Sequence, residues 1–260
     1  MRALIFAAGR GERMRPLTLA TPKPLLAVGG KPLIVWHLEA LARAGIVDVV
    51  VNTAHLAQQF PATLGDGRRW GVRIAYSYEG DEPLETGGGM RRALPMLGTA
   101  PFVALNGDIW CDYDYARLPR EPAGLAHLVL VDNPPQHAKG DFTLDESGFV
   151  GDGESGRLTF AGIGVYRMEI LAGEWRETFK LAPLLYQAAR ERRVTGEHHR
   201  GAEPECGERV GHTLSAALDP LGRRRGMVGE RDRRVAALLG GTACRIEGAC
   251  EGRRKTRAPV

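Results

Sequence analysis

Phosphate is held by cations and by backbone amides that point the same way, and the first part of this sequence concentrates both. The apolar run of residues 4–8 leads into Gly9-Arg10-Gly11-Glu12-Arg13-Met14-Arg15, and Lys23 follows between Pro22 and Pro24. A buried strand ending in a basic, glycine-bearing loop is how an α/β protein offers amides to a phosphate. Gly9 and Gly11 can take backbone angles closed to other residues and let a ligand approach the main chain. Arg13, Arg15 and Lys23 add charge, and the two prolines are expected to hold Lys23 extended. Gly-x-Gly by itself also fits an ordinary strand-to-loop turn, since neither the third glycine of a dinucleotide-binding turn nor the Gly-Lys-Ser/Thr of a P-loop is present.

Three further stretches carry groups suited to the same chemistry. Asn106-Gly107-Asp108 closes an apolar run, and a carboxylate there could hold a hard cation such as Mg²⁺; the same dipeptides also make plain turns. Glu85-Thr86-Gly87-Gly88-Gly89 leads toward a helix, with Thr86 as a simple cap in the alternative reading. Asp141 stands in Lys139-Gly140-Asp141-Phe142. Asp112 and Asp114 read as solvated or capping residues. His198, His199 and Cys206 could suggest a soft-metal site, but three ligands with an irregular gap are more often coincidence.

The elements that must position these groups alternate. Residues 3–7 read as a first strand buried on both faces. Pro32 opens a helix with Leu33, Trp36, Ala40, Leu41 and Ala44 at helical spacing and Gly45 past its end. Strands are expected at 48–52, 72–76, 101–105 and 125–131, and helices at 55–64, 90–97 and 181–192. Residues 141–144 and 158–166 are assigned to a second, more antiparallel, β-rich part that carries the acceptor. This order predicts an α/β, Rossmann-like mixed sheet, mainly parallel and flanked by helices. Ligands of such sheets bind beyond the carboxyl ends of the strands, where the Gly9 loop, the Glu85 loop and Asp108 would meet.

Composition sets the frame. A chain of 260 residues with 43% hydrophobic residues can bury one large core. No apolar run reaches the length of a membrane span, and residues 4–8 are too short for a signal peptide, so a cytoplasmic location and no membrane partner are expected. Four cysteines, Cys111, Cys206, Cys244 and Cys250, suggest no disulfide framework. The net charge of +4 comes wholly from the end of the chain: residues 1–200 hold 23 basic and 23 acidic side chains, and residues 201–260 hold 12 and 8. All aromatic residues also precede Gly201. Arginine without interleaved aromatics is poor support for a nucleic-acid partner. The domains expected are therefore 1–201, globular, and 202–260, an atypical and poorly ordered tail, with a short helix at 235–239 at most.

The strings quoted, with Thr18 and Thr21 around the Lys23 segment, Leu128-Val129-Leu130-Val131-Asp132-Asn133-Pro134 and Phe179-Lys180-Leu181-Ala182-Pro183, resemble the sugar-1-phosphate nucleotidyltransferases. Within that superfamily they look like the N-acetylmuramate-1-phosphate uridylyltransferase branch, from residue 1 to about 201. The resemblance implies an NTP, with UTP as the base choice, and a sugar 1-phosphate as partners, Mg²⁺ as cofactor, and a place in peptidoglycan recycling. The triphosphate would lie on Ala8, Gly9, Gly11 and Glu12, with Arg13 on the β- and γ-phosphates and Lys23 at the α-phosphate. Asp108 would hold Mg²⁺. Glu85, Thr86 and Gly87 would read the base, Asn106 would touch either substrate, and Asp141 would hold the sugar. Lys180 either meets the sugar phosphate or is a surface lysine. Thymidylyl or guanylyl transfer to glucose or mannose 1-phosphate, and a non-catalytic nucleotide-sugar sensor, stay open beside this reading.

The pattern departs after Gly201. The family continues with Trp-x-Asp-Val-Gly-Thr, whose aspartate is a second metal ligand, whereas this chain reads Ala202-Glu203-Pro204-Glu205-Cys206-Gly207-Glu208-Arg209. Its coincidence with the break in charge and aromatic content points to a shifted reading frame or a degenerate terminus, with an unusual native extension as the alternative; with the tail as written, weakened catalysis is expected.

Overall fold

The computed structural model describes residues 1–201. The expected tail and its short helix lie outside the described residues, as do Cys206, Cys244 and Cys250. In chain order the elements are β1 (Ala3–Phe6), a one-turn α1 (Leu17–Ala20), the hairpin β2 (Ala27–Val28) and β3 (Lys31–Pro32), α2 (Leu33–Arg43), β4 (Asp48–Thr53), α3 (Gln59–Leu64), β5 (Arg73–Tyr78) and α4 (Glu85–Leu97). There follow β6 (Phe102–Asn106), β7 (Ala126–Val131), the hairpin β8 (Thr143–Leu144) and β9 (Val150–Gly151), β10 (Thr159–Tyr166), α5 (Ala182–Arg190) and β11 (Val194–His198).

Seven strands form one sheet in the order β11-β7-β10-β6-β1-β4-β5. β1 lies parallel to both β4 and β6, and β10 runs antiparallel between β6 and β7. Residues 158–166, expected in a separate acceptor part, thus belong chiefly to the main sheet. Of that expected part, residues 143–144 lie outside the main sheet, in the β8–β9 hairpin. Strand alternation divides the core. Ala3 and Ile5 of β1 join Ile34, Val35, Leu38 and Leu41 of α2 on one face, and Leu4 joins Met90, Ala93 and Leu97 of α4 on the other. Each fully buried Leu, Ile, Val or Met among them contributes about 1.5–3 kcal/mol.

The helix after Pro32 forms as expected and ends at Gly45, which takes φ +71°. Ile46 N donates to Leu41 O and Gly45 N to Ala42 O, so the last carbonyls are satisfied by a Schellman turn. Its buried stripe runs through Ile34, His37 and Leu38, while Trp36 is only partly covered. The short α1, β2, β3 and β9 were not expected, and other elements differ from expectation. The helix expected at 55–64 is confined to α3, and α4 starts at Glu85, so the glycine run lies inside the helix. β11 has no sequence signal, because Val194-Thr195-Gly196-Glu197-His198 shows neither an apolar run nor strict alternation. No helix among the described residues is long and apolar enough to cross a membrane.

Candidate active site

Order reverses around β1, whose neighbours β4 and β6 lie on opposite sides, and the crevice at the carboxyl ends of these three strands is where the predicted residues gather. A cavity of about 220 Å³ there is lined by Ala7, Ala8, Gly9 and Gly11 from the loop after β1, by Lys23, by Asn106 at the end of β6 and Asp108 just beyond it, and by Glu85 and Thr86 at the start of α4. The loop bends at Gly11, which takes φ +61° and whose carbonyl accepts from Thr18 Oγ1 at 2.8 Å. A Cβ on Gly11 would sit 2.8 Å from Thr18 Cγ2, so position 11 is closed to larger residues on two counts. Gly9 does not use its freedom: its φ is ordinary, and the space its Cβ would take is open toward the cavity. Glu12 and Arg13 lie in a short 3₁₀ turn, exposed, and line neither cavity of the site. Glu12 pairs with Arg15 at 3.1 Å.

Lys23 is not extended as expected. Pro22 is extended, but Lys23–Leu25 forms a 3₁₀ turn closed by Leu25 N donating to Pro22 O. The turn directs the Lys23 side chain inward, where Nζ lies 2.7 Å from Asp108 Oδ2. Behind Asp108, buried His37 of α2 ties down the loop. Its Nε2 faces Ile109 O at 2.7 Å and its Nδ1 faces the Tyr115 hydroxyl at 2.8 Å. A carbonyl only accepts, so Nε2 carries the proton and Nδ1 accepts from Tyr115. Burial pushes the His37 pKa down to about 4, partly offset by the Ile109 carbonyl and the Asp108 charge. Asp114 caps the next turn through Ala116 N, as expected of it.

The glycine run has a different role from the one expected. Gly87 N and Gly88 N donate to Phe179 O at 2.9 and 3.1 Å, so these amides are already engaged and Gly87 lines neither cavity. Side chains at Gly87 and Gly88 would collide with the Phe179 ring and the Glu177 carbonyl. The glycines therefore let α4 pack against the 177–179 segment. Glu85 holds φ +63°, a strained angle for a residue with a Cβ, and stays on the cavity wall. Thr86 is no cap of its own helix: its Oγ1 accepts from Leu181 N at the entry to α5.

Two residues that sequence reasoning passed over complete the wall. Asn52 at the end of β4 and Glu79 just after β5 are buried, 2% and 6% exposed, and both line the cavity. Asn52 Oδ1 accepts from Ala7 N at 2.6 Å, and its Nδ2 donates to Glu79 Oε1. Glu79 Oε2 accepts from Leu84 N at 2.7 Å. Burial raises the Glu79 pKa, against the opposing effects of Leu84 N, Asn52 and Arg92. Their position at strand ends was the available signal. A second tie between the same loops joins Arg10 Nη2 to Glu82 Oε1 at 2.5 Å.

A second cavity of about 190 Å³ adjoins the first and shares Phe6, Thr86 and Asn106 with it. Phe142, Phe160, Tyr166, Leu185 and Tyr186 give it an apolar wall, and Asp141 is its acidic group. Asp141 Oδ2 accepts from Phe160 N at 2.8 Å, and Oδ1 meets His137 Nε2 at 2.9 Å. Lys180 is exposed and lines neither cavity. His198 and His199 do not act together: His198 pairs with Asp132, and His199 with Asp112. The donor set around Asp108, one carboxylate with the Asn106 amide on the same wall, is oxygen-based and suits a hard divalent cation.

The chain is similar to several known proteins over most of its length. The N-acetylmuramate alpha-1-phosphate uridylyltransferase of Neisseria meningitidis is 49% identical over 209 residues, covering 77% of this chain and 90% of that protein. The enzyme of the same name from Caulobacter vibrioides is 34% identical over 221 residues, 79% and 91% of the two chains. HddC from Yersinia pseudotuberculosis, solved with GMP-PN, shares the fold with a TM-score of 0.65 at 18% identity, covering 85% of this chain and 99% of that one. The nucleotidyl transferase family matches residues 2–143, over half of the chain, and the chain belongs to that family.

Proposed function

We propose that the protein transfers a uridylyl group from UTP to N-acetylmuramate 1-phosphate, giving UDP-N-acetylmuramate and pyrophosphate for peptidoglycan recycling in the cytoplasm. The observation that carries this reading is the pair of adjoining cavities that meet at Phe6, Thr86 and Asn106, with Lys23 and Asp108 on the wall of the first. Nucleotidyl transfer needs no protein nucleophile. An oxygen of the sugar phosphate attacks the α-phosphorus, the bond to the bridging oxygen breaks, and pyrophosphate leaves with that oxygen. The work left to the protein is positioning and charge neutralisation.

In this reading the loop from Ala8 to Gly11 receives the triphosphate, and the Lys23 ammonium stabilises charge at the α-phosphate. Glu85 and Thr86 border the base, Asn106 stands at the seam between the substrates, and Asp141 holds the sugar. Arg13 and Lys180, both exposed, would act on phosphates only by reaching in from the rim. Mg²⁺, when bound at Asp108, supplies further neutralisation of phosphate charge. Water and phosphate oxygens would join Asp108 in its shell.

Pyrophosphate release from a panel of nucleoside triphosphates and sugar 1-phosphates tests the proposal. UTP with N-acetylmuramate 1-phosphate should give the highest kcat/KM. A preference for GTP with mannose 1-phosphate would overturn the substrate choice, and UTP binding without turnover on any acceptor would favour a sensor.

A further inference from the structure

Ala7, Asn52, Glu79 and Leu84 form a chain of hydrogen bonds with a single allowed direction. The amides of Ala7 and Leu84 can only donate. Asn52 turns its carbonyl oxygen to Ala7 N, so it has only its NH₂ to offer Glu79. Glu79 must then accept twice, once from Asn52 and once from Leu84 N. A carboxylate does this with both oxygens; the hydroxyl of a carboxylic acid is a weaker acceptor, and the nitrogen of an amide accepts nothing. Both side chains are buried, where an unmet donor is costly. Gly89 of α4 leaves room for them, since a Cβ there would lie 2.6 Å from Asn52 Nδ2 and closer still to Glu79 Oε1.

The relay ties together two loops that border the first cavity. Ala7 begins the loop expected to carry the triphosphate, and Leu84 ends the loop 80–84 that sets Glu85 and Thr86. Asn52 lies beside Phe6 in the β1–β4 register, which fixes the relay to the sheet. Resting on the nucleotide reading of the first cavity, we propose that Asn52 and Glu79 are positioning residues that lock the phosphate loop and the base loop in one binding shape, with Glu79 required as a carboxylate.

The direction of the chain gives a sharp test. Glu79→Gln leaves one donor unmet, and Asn52→Asp sets two carboxylates against each other. Combining the two substitutions reverses the polarity and restores every bond. The new carboxylate at position 52 accepts from Ala7 N and from the new amide NH₂ at position 79, and the oxygen of that amide accepts from Leu84 N. Titration of UTP with Mg²⁺ into the full chain should show about tenfold weaker binding in each single variant. KM for UTP should rise with little change in kcat, and amide exchange at Ala7 and Leu84 should quicken. The double variant should return affinity and exchange to within about threefold of the parent. Parent-like UTP affinity and amide exchange in Glu79→Gln, or a double variant no better than the worse single one, would overturn the relay. A parent protein that binds no UTP would overturn the nucleotide reading, and the exchange rates would then judge the relay separately.

Discussion

Lys23 and Asp108 stand 85 residues apart in the chain, yet Lys23 Nζ meets Asp108 Oδ2 at 2.7 Å on the wall of the first cavity. Their side chains are 19% and 40% exposed, so the pair is partly solvated and contributes only about 0–1 kcal/mol to folding. Such a pair is easily exchanged. In the proposed reaction each partner has a better use: the ammonium moves to the α-phosphate and the carboxylate takes the cation. The ion pair therefore keeps both charges compensated until substrate supplies new partners.

Replacing the lysine separates the two uses. Lys23→Met should lower kcat about 10²–10³-fold, the usual cost of losing one electrostatic group at a reacting centre. The same change frees Asp108, so Mg²⁺ alone should bind the nucleotide-free variant more tightly than the parent. Calorimetry with MgCl₂ checks this, and equal affinities would show that the ion pair does not compete with the metal.

Gly88→Ala reverses a familiar sign. In an open helix the change would stabilise by about 1 kcal/mol. Here the new Cβ would run into the Glu177 carbonyl and approach Leu84 Cβ at 2.9 Å. Overpacking of this kind costs about 1–3 kcal/mol, which lowers Tm by roughly 2–12 °C in a domain of this size. A melting curve at or above that of the parent would mean that the 177–179 segment yields.

Gly9→Ala should behave in the opposite way. Nothing lies within 4 Å of the added carbon and the backbone angle is ordinary, so Tm should stay unchanged. The methyl group would project into the space proposed for the triphosphate. Weaker UTP binding at parental Tm is the expected result, read by calorimetry beside the melting curve.

These two glycines also show which parts were legible in the sequence. The first strand, the sheet class, Asp108 and the crevice could be read because continuous apolar runs mark buried parallel strands and the ligand side of such sheets is fixed. What Gly87 and Gly88 are for could not, because the reason is the Phe179 segment, far along the chain and brought close only by folding. Asn52 and Glu79 were equally hidden. Their roles depend on the pairing of β4 with β5, which sets Asn52 opposite Ser77 and brings Glu79, just past the strand end, within hydrogen-bond reach of it. The conformation of Lys23 was ambiguous locally, since two flanking prolines suit a tight 3₁₀ turn as well as an extended segment.

His37 makes stability depend on pH. Its pKa is about 4 in the folded protein and about 6.5 in the unfolded chain. Between these values the unfolded state binds a proton that the folded state refuses, so stability falls as pH drops from 6.5 toward 4 and levels off below. The difference corresponds to ~3 kcal/mol. Glutamine can donate to Ile109 O and accept from Tyr115 without titrating. Urea unfolding between pH 7 and 4 should therefore show the parent losing ~3 kcal/mol more than His37→Gln. Parallel losses would show that the ring is protonated in place.

Asp141 tests whether the two cavities serve two substrates. Its carboxylate lies in the second cavity alone, bound by Phe160 N and His137, while the first cavity reaches the second only through Phe6, Thr86 and Asn106. Asp141→Asn keeps the shape and an oxygen for Phe160 N but removes the charge. A hydrogen bond from a sugar hydroxyl to a carboxylate is worth about 1.5–3 kcal/mol, so KM for the sugar phosphate should rise at least about tenfold. UTP affinity, measured without acceptor, should not change, because no wall of the first cavity is touched. A loss of UTP binding in this variant would mean that the nucleotide extends across the seam and that the assignment of one substrate to each cavity is wrong.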